Sequence, residues 1–355
     1  MILNELKDKK IFITGHTGFK GSWLTLILEY IGAIVCGYSR DYDDNALYSL
    51  THPNIHKSIE GDILNYELLE KSIIDFEPEY IIHLASQAYV DKSLIDPIET
   101  FETNVIGLTN LLKVIDKYNK VKSVLIVTSD KCYKNIETEK PYGEYSELGA
   151  QDPYSTSKAC QELITDCFRF SYFNKKEIII PISTVRASNV IGGGDFNKNR
   201  LVPYLLDNFI KGERPTIRNP YSIRPWQNVL DVLGGYLCLL VKTGQDISLA
   251  GAYNFGPEDD GFKTVENLAN ELSHYFCNIG FNIQASKISN FETKILKLDS
   301  TKSKKMLGWK PVYTFNETVC NVSEFIKQIH NNKDIKDICI NQIDDYIRKS
   351  KMLWE

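Results

Sequence analysis

"ITGHTGFKGSWL", residues Ile13 to Leu24, places glycines at Gly15, Gly18 and Gly21. The spacing is Gly-x-x-Gly-x-x-Gly, wider than the common dinucleotide fingerprint Gly-x-Gly-x-x-Gly. Its surroundings decide how to read it. "KIFITG" (Lys10–Gly15) is a run of aromatic and β-branched residues and reads as a buried strand. Beyond the turn, Trp23, Leu24, Ile27, Leu28 and Ile31 recur at helical spacing until Gly32 stops them. "AIVCGYS" (Ala33–Ser39) is a second apolar run. Strand, glycine turn, helix, strand is a βαβ unit. Its helix N-terminus offers free amides and a positive dipole end to a pyrophosphate, and glycine lets that backbone come close.

The alternation continues outward. Glu79–Ser86 and Lys122–Asp130 read as strands, Thr103–Tyr118 and Pro153–Phe173 as helices, and Glu177–Ala187 as a further strand. This pattern predicts an α/β fold: a Rossmann-like doubly wound parallel sheet, covered on both faces. After Asn189 the texture changes to the glycine-rich "IGGGDFNKNR" (Ile191–Arg200) and a basic stretch, "IRNPYSIRPWQNVLD" (Ile217–Asp231). We expect a smaller, interleaved C-terminal substrate-binding domain. The division is 1–189 for the nucleotide-binding part, with later chain returning to it, 190–330 for the substrate region, and 331–355 as a tail.

Bulk properties narrow the partners. Over 355 residues the net charge is −5, which argues against a nucleic-acid-binding face. The eight cysteines are scattered, with no Cys-x-x-Cys, so we expect reduced thiols, no metal and a cytoplasmic protein. No apolar run approaches the roughly 20 residues of a membrane span. "MILNELKDKK" is too charged for a secretory signal.

Two clusters carry chemistry. Tyr154 and Lys158 stand four apart in "YSTSK", on one face of the predicted helix. An ammonium beside a phenol lowers its pKa and lets it act as a base near neutral pH. Thr128, Ser129, Asp130 and Lys131 cluster in "VTSDKCY", at a strand's C-terminal end, where open α/β sheets bind ligands.

With "GDI" (Gly61–Ile63), "HLASQ" (His83–Gln87), Asn104, "RASNVIGGGD" (Arg186–Asp195) and "LGWKP" (Leu307–Pro311), these motifs resemble the extended short-chain dehydrogenase/reductases. Within them, "SDKCY" and "RPWQ" are similar to the nucleotide-sugar 4,6-dehydratase branch. The resemblance implies an NAD enzyme that oxidises a sugar at C4, eliminates water across C5 and C6, and reduces C6, with CDP-glucose the favoured substrate. Tyr154 would take the 4-hydroxyl proton, Ser129 would bind that hydroxyl, Lys158 would hold the nicotinamide ribose, and Asp130 would protonate the leaving 6-hydroxyl. Gly15, Thr17, Gly18, Phe19, Ser39, Arg40, Asp62, Ile63, Leu84, Ala85, Gln87, Asn104 and Thr128 would complete the cofactor site. Gln87, Glu144, Asn189, Arg200, Arg218 and Arg224 would meet the substrate. A homodimer or homotetramer is implied, paired through Thr103–Tyr118 and Pro153–Phe173.

Three points stay open. Lys131, where relatives carry glutamate, is the C5 base if its amine is neutral, which needs burial or a neighbouring cation; otherwise it steadies the enolate as an ammonium. Asp41 suits NAD, whereas Arg40 would suit the 2′-phosphate of NADP. Trp23 either packs the first helix or touches ligand.

Overall fold

The computed structural model describes residues 2–40, 42–175, 179–284 and 293–354. Its first strands are Lys10–Thr14 (β1), Ile34–Ser39 (β2), Lys57–Glu60 (β3), Tyr80–His83 (β4), Ser123–Val127 (β5) and Ile182–Ala187 (β6). Among the described residues they join Ala252–Phe255 in one parallel sheet, ordered Ala252–Phe255, β6, β5, β4, β1, β2, β3. β4 and β5 are buried throughout, as their unbroken apolar runs require in a sheet covered on both faces. Strand order reverses on either side of β1, which opens a crevice at the carboxyl ends of β1 and β4.

The glycine turn sits at that crevice. Gly15 has φ +75°, and a Cβ there would lie 2.6 Å from the Ala85 nitrogen. A Cβ at Gly21 would lie 2.1 Å from the Gly15 carbonyl oxygen. These two glycines let helix Phe19–Ile31 (α1) close against its own turn. His16 turns inward, buried, with Nε2 2.7 Å from Ser58 Oγ. Trp23 packs rather than binds: its indole donates to the Gly193 carbonyl at 2.8 Å and lies against Phe325.

One face of the sheet is covered by α1, helix Val229–Gln245 and helix Ile335–Trp354, burying Trp23, Leu233, Tyr236 and Tyr346 together. Helices Tyr66–Phe76 and Gly107–Tyr118 cover the other with Leu69, Ile73, Leu111 and Ile115. Val202, Leu206, Phe209, Trp226, Leu268 and Val319 form a separate core from the later part of the chain. There a small sheet joins Phe262–Thr264, Ile223–Asn228 and Asn189–Ile191. After residue 228 the chain returns to the large sheet, packing helix Val229–Gln245 on it and adding strand Ala252–Phe255 to it.

Several boundaries differ from the sequence reading. The stretch Thr103–Tyr118 begins inside a π turn, Glu102–Ile106, before helix Gly107–Tyr118. The last strand starts at Ile182 rather than at residue 177, and 176–178 lie outside the described residues. The expected tail is helix Ile335–Trp354, docked on α1 through buried Ile338, Cys339 and Ile343. Tyr30 donates to Asp344 at 2.7 Å and Lys336 to Glu29 at 2.8 Å across that contact. The helix was hidden because charged residues dilute its apolar stripe.

Candidate active site

A cavity of about 900 Å³ runs from the glycine turn to Asn189, Arg200 and Trp226, a size suited to large organic ligands. At one end Gly15, Thr17, Gly18 and Phe19 form the wall, with Ser39 and Arg40 from the end of β2 and Asp62 and Ile63 after β3. Gly18 caps α1 without a side chain. A Cβ there would meet protein no closer than 3.6 Å, so protein packing does not demand this glycine and its open side faces the cavity. Thr17 and Ser39 share a 2.7 Å hydroxyl contact. The turn, the free first-turn amides and the crevice fit the pyrophosphate of a dinucleotide. Asp41, the alternative ribose ligand, lies outside the described residues. Arg40 is paired instead with Glu99 at 3.3 Å and Asp62 at 3.9 Å.

At the cavity's middle, Leu84, Ala85 and Gln87 follow β4, and Thr128, Ser129, Asp130 and Lys131 follow β5. Ser129 is extended and caps the 3₁₀ turn Asp130–Cys132, donating to Asp130 Oδ1 at 3.0 Å. Asp130 is buried, its Oδ2 has no hydrogen-bond partner among the described residues, and burial raises its pKa. Across from it stands helix Pro153–Ser171, begun by an Asp152 cap and Pro153 in the first turn. That start aims Tyr154 and Lys158 into the cavity. Burial pushes the Tyr154 phenol up to about 12, and hydrogen bonding with Ser129 opposes the rise. Lowering of the phenol pKa by Lys158 is therefore not realised here. The amine lies 5.9 Å from the ring centre and instead donates to Gln161 Oε1 at 3.0 Å. Burial, then the neighbouring Lys20 charge, brings Lys158 itself down to about 7.

At the far end are Asn189, Arg200 and Trp226. Arg200 pairs with Asp195 at 3.0 Å and covers the Tyr89 ring at 5.2 Å. Other expected residues are not on this wall. Glu144 accepts from the Asn254 amide at 2.9 Å, and its carbonyl accepts from Arg186. Arg218 is exposed away from the cavity. Arg224 donates to the Thr293 and Lys294 carbonyls, though its charge is felt at Asp130. Asn104 is buried beneath the wall, gripping Gln87 and Ser157. The Gln87 amide is taken up by Tyr89 and Thr100. Lys131 is exposed and lines the cavity beside Asp130.

The model of the GDP-mannose 4,6-dehydratase family matches residues 12–322. The chain belongs to this family. It is 39% identical over 350 residues to CDP-glucose 4,6-dehydratase of Salmonella typhimurium, covering 97% of this chain and 98% of that one. Among solved structures it resembles an epimerase from Methanothermobacter thermautotrophicus, with TM-score 0.80, 22% identity and coverage of 93% and 95%. It also resembles dTDP-glucose 4,6-dehydratase from Bacillus anthracis in complex with NAD, with TM-score 0.77, 22% identity and coverage of 91% and 98%. Both likenesses carry the same fold.

Within this family member, two residues escaped the sequence reading. Lys20 lines the cavity inside the glycine motif, its amine 5.8 Å from the Tyr236 ring centre. Burial, then Arg200, lowers it to about 8. A lone cation between two motif glycines was its visible signal. Glu162 is buried four residues beyond Lys158 and accepts from Arg186 at 2.7 Å and Thr184 at 2.6 Å, and also from Thr128. The Lys-x-x-x-Glu spacing was legible, but its partner, 24 residues away, was not.

Proposed function

We propose that this chain is an NAD-dependent nucleotide-sugar 4,6-dehydratase, a hydro-lyase that converts CDP-glucose to CDP-4-keto-6-deoxyglucose. The observation that carries the reading is Asp130: a buried carboxyl with a raised pKa and an oxygen without a hydrogen-bond partner among the described residues, in the same cavity as Tyr154 and the glycine turn. A carboxyl that keeps its proton can give it to a leaving hydroxyl. The CDP-glucose assignment draws on the 39% identity to the Salmonella enzyme.

NAD, when bound, would supply the hydride acceptor and donor that an internal oxidation and reduction of the sugar needs. Gly15, Thr17, Gly18 and Phe19 would hold its pyrophosphate, Ser39 and Asp62 its adenosine end, and Lys158 the nicotinamide ribose. Ser129 binds the sugar 4-hydroxyl and Tyr154 accepts its proton. Tyr154 starts as a buried phenol, and cationic charge brought near it by a ligand would lower its pKa and populate the phenolate that takes the proton. Asp130 protonates the departing 6-hydroxyl. Lys131, on the cavity wall beside Asp130, takes the C5 proton as the 6-hydroxyl leaves. Arg200 and Asn189 take the substrate diphosphate. Gln87 and Asn104 act by shaping the wall.

The enzyme works in the cytoplasm as a homodimer or homotetramer. Ile95, Ile98, Ile106, Leu163 and Phe170 are exposed apolar residues on the helices around Pro153–Ser171, and a second copy would cover them. Incubation with CDP-glucose and NAD should yield the base-induced absorbance of a 4-keto-6-deoxy sugar. Turnover of a GDP- or dTDP-sugar in its place would reassign the substrate.

A further inference from the structure

We propose that Gln161 is a positioning residue: it fixes the Lys158 amine to the turn that carries Asn104, and so sets where that amine presents its charge. Gln161 is fully buried. Its Oε1 accepts from Lys158 Nζ at 3.0 Å, and its Nε2 donates to the Asn104 carbonyl at 2.8 Å. The second acceptor of the amine, the Val127 carbonyl, is farther, at 3.4 Å. The Asn104 carbonyl can take only the NH₂ end of the carboxamide. It therefore orients Gln161 with its oxygen toward the ammonium.

The chain of contacts reaches the cavity wall. Asn104 lies in the π turn Glu102–Ile106, a geometry that often marks functional sites. Its Oδ1 accepts from the Gln87 amide at 2.8 Å and from Ser86 Oγ at 2.9 Å. Its Nδ2 donates to the Gln87 carbonyl and to Ser157. Loop 86–87, the π turn and Lys158 are thus held by one buried amide pair. The charged and titratable groups that act on Lys158 come from several elements: Lys20 on α1, His83 ending β4, Cys132 after β5, and Tyr154 and Glu162 on its own helix. Gln161 makes the shorter of the two hydrogen bonds that the amine donates. A glutamine suits this place because it accepts from the ammonium without neutralising it. A carboxylate would hold the proton more tightly, and an apolar residue would leave the amine only its longer bond to Val127 and remove the Gln161 donor from the Asn104 carbonyl.

This inference rests on the proposed function for its kinetic consequence but not for its direct test. Full-length, cofactor-free protein is labelled at lysine Cε with carbon-13, and the Lys158 resonance is assigned by its loss in Lys158→Arg. Its titration is then followed by NMR in native protein, Gln161→Glu and Gln161→Leu. The midpoint should rise by about one pH unit in Gln161→Glu and fall by about as much in Gln161→Leu. In CDP-glucose turnover the pH profile should shift in the same two directions, with kcat of Gln161→Leu down about tenfold and KM little changed. Gln161→Glu is nearly isosteric and keeps the test alive if Gln161→Leu fails to fold. Midpoints that stay at the native value, or move the same way in both variants, overturn the inference. Midpoints that move as stated, in a protein that does not dehydrate CDP-glucose, uphold the positioning role and sink the functional reading.

Discussion

Replacing Lys158 by methionine should make the cofactor-free protein more stable at neutral pH. Lys158 is 3% exposed, and burial, followed by the Lys20 charge, brings it from the ordinary 10.5 to about 7. The unfolded chain therefore binds a proton that the folded one lacks between about pH 7 and 10.5, and folded-state stability rises with pH across that window. Below the window the penalty is fully present. At about 1.36 kcal/mol per pH unit its ceiling is about 5 kcal/mol. Methionine fills similar space without the charge but leaves Gln161 Oε1 without its donor, which costs about 1–3 kcal/mol. The net gain at pH 7 is then about 2 kcal/mol. Near pH 9.5 the proton penalty shrinks to about 1 kcal/mol, and the advantage should vanish. Urea unfolding of both proteins at the two pH values, with matched m-values, measures this directly. A variant less stable than the native protein at pH 7, or an advantage that does not change with pH, would refute the account of Lys158 as a buried, destabilised amine.

Asp130→Asn should lower CDP-glucose turnover about 100-fold while reduced nicotinamide still forms, read at its own absorbance band; unchanged turnover would remove Asp130 as the acid. Glu162→Gln leaves the Arg186 guanidinium buried against a neutral group where the pair was 2.7 Å apart. It should lose about 3–5 kcal/mol in urea unfolding, and a loss below about 1 kcal/mol would mean that the site tolerates the charge. Glu99 holds both Arg40 at 3.3 Å and Lys92 at 2.8 Å at the adenosine end of the cavity. Glu99→Gln should loosen those cations and tighten NADP about tenfold relative to NAD in a binding titration; an unmoved ratio would show that Glu99 does not guard cofactor choice.

Local patterns carried the parallel sheet, the glycine turn and the residues on its wall. A strand that must bury both faces reads as an apolar run. Tyr154 and Lys158 reach the cavity because one helical turn separates them. Ser129 and Asp130 do so because they leave the end of a parallel strand. Each depends on neighbours in the chain, so each was legible in one dimension. The π turn at Asn104, the docked helix Ile335–Trp354 and the positions of Glu144, Arg218 and Arg224 were not, since residues distant in sequence set them. The tertiary structure alone decided the protonation landscape. A phenol at about 12 and an amine at about 7 reverse the simple expectation for such a pair. Spacing sets which groups meet, but the water they lose and the charges that long-range packing sets beside them fix their proton affinities.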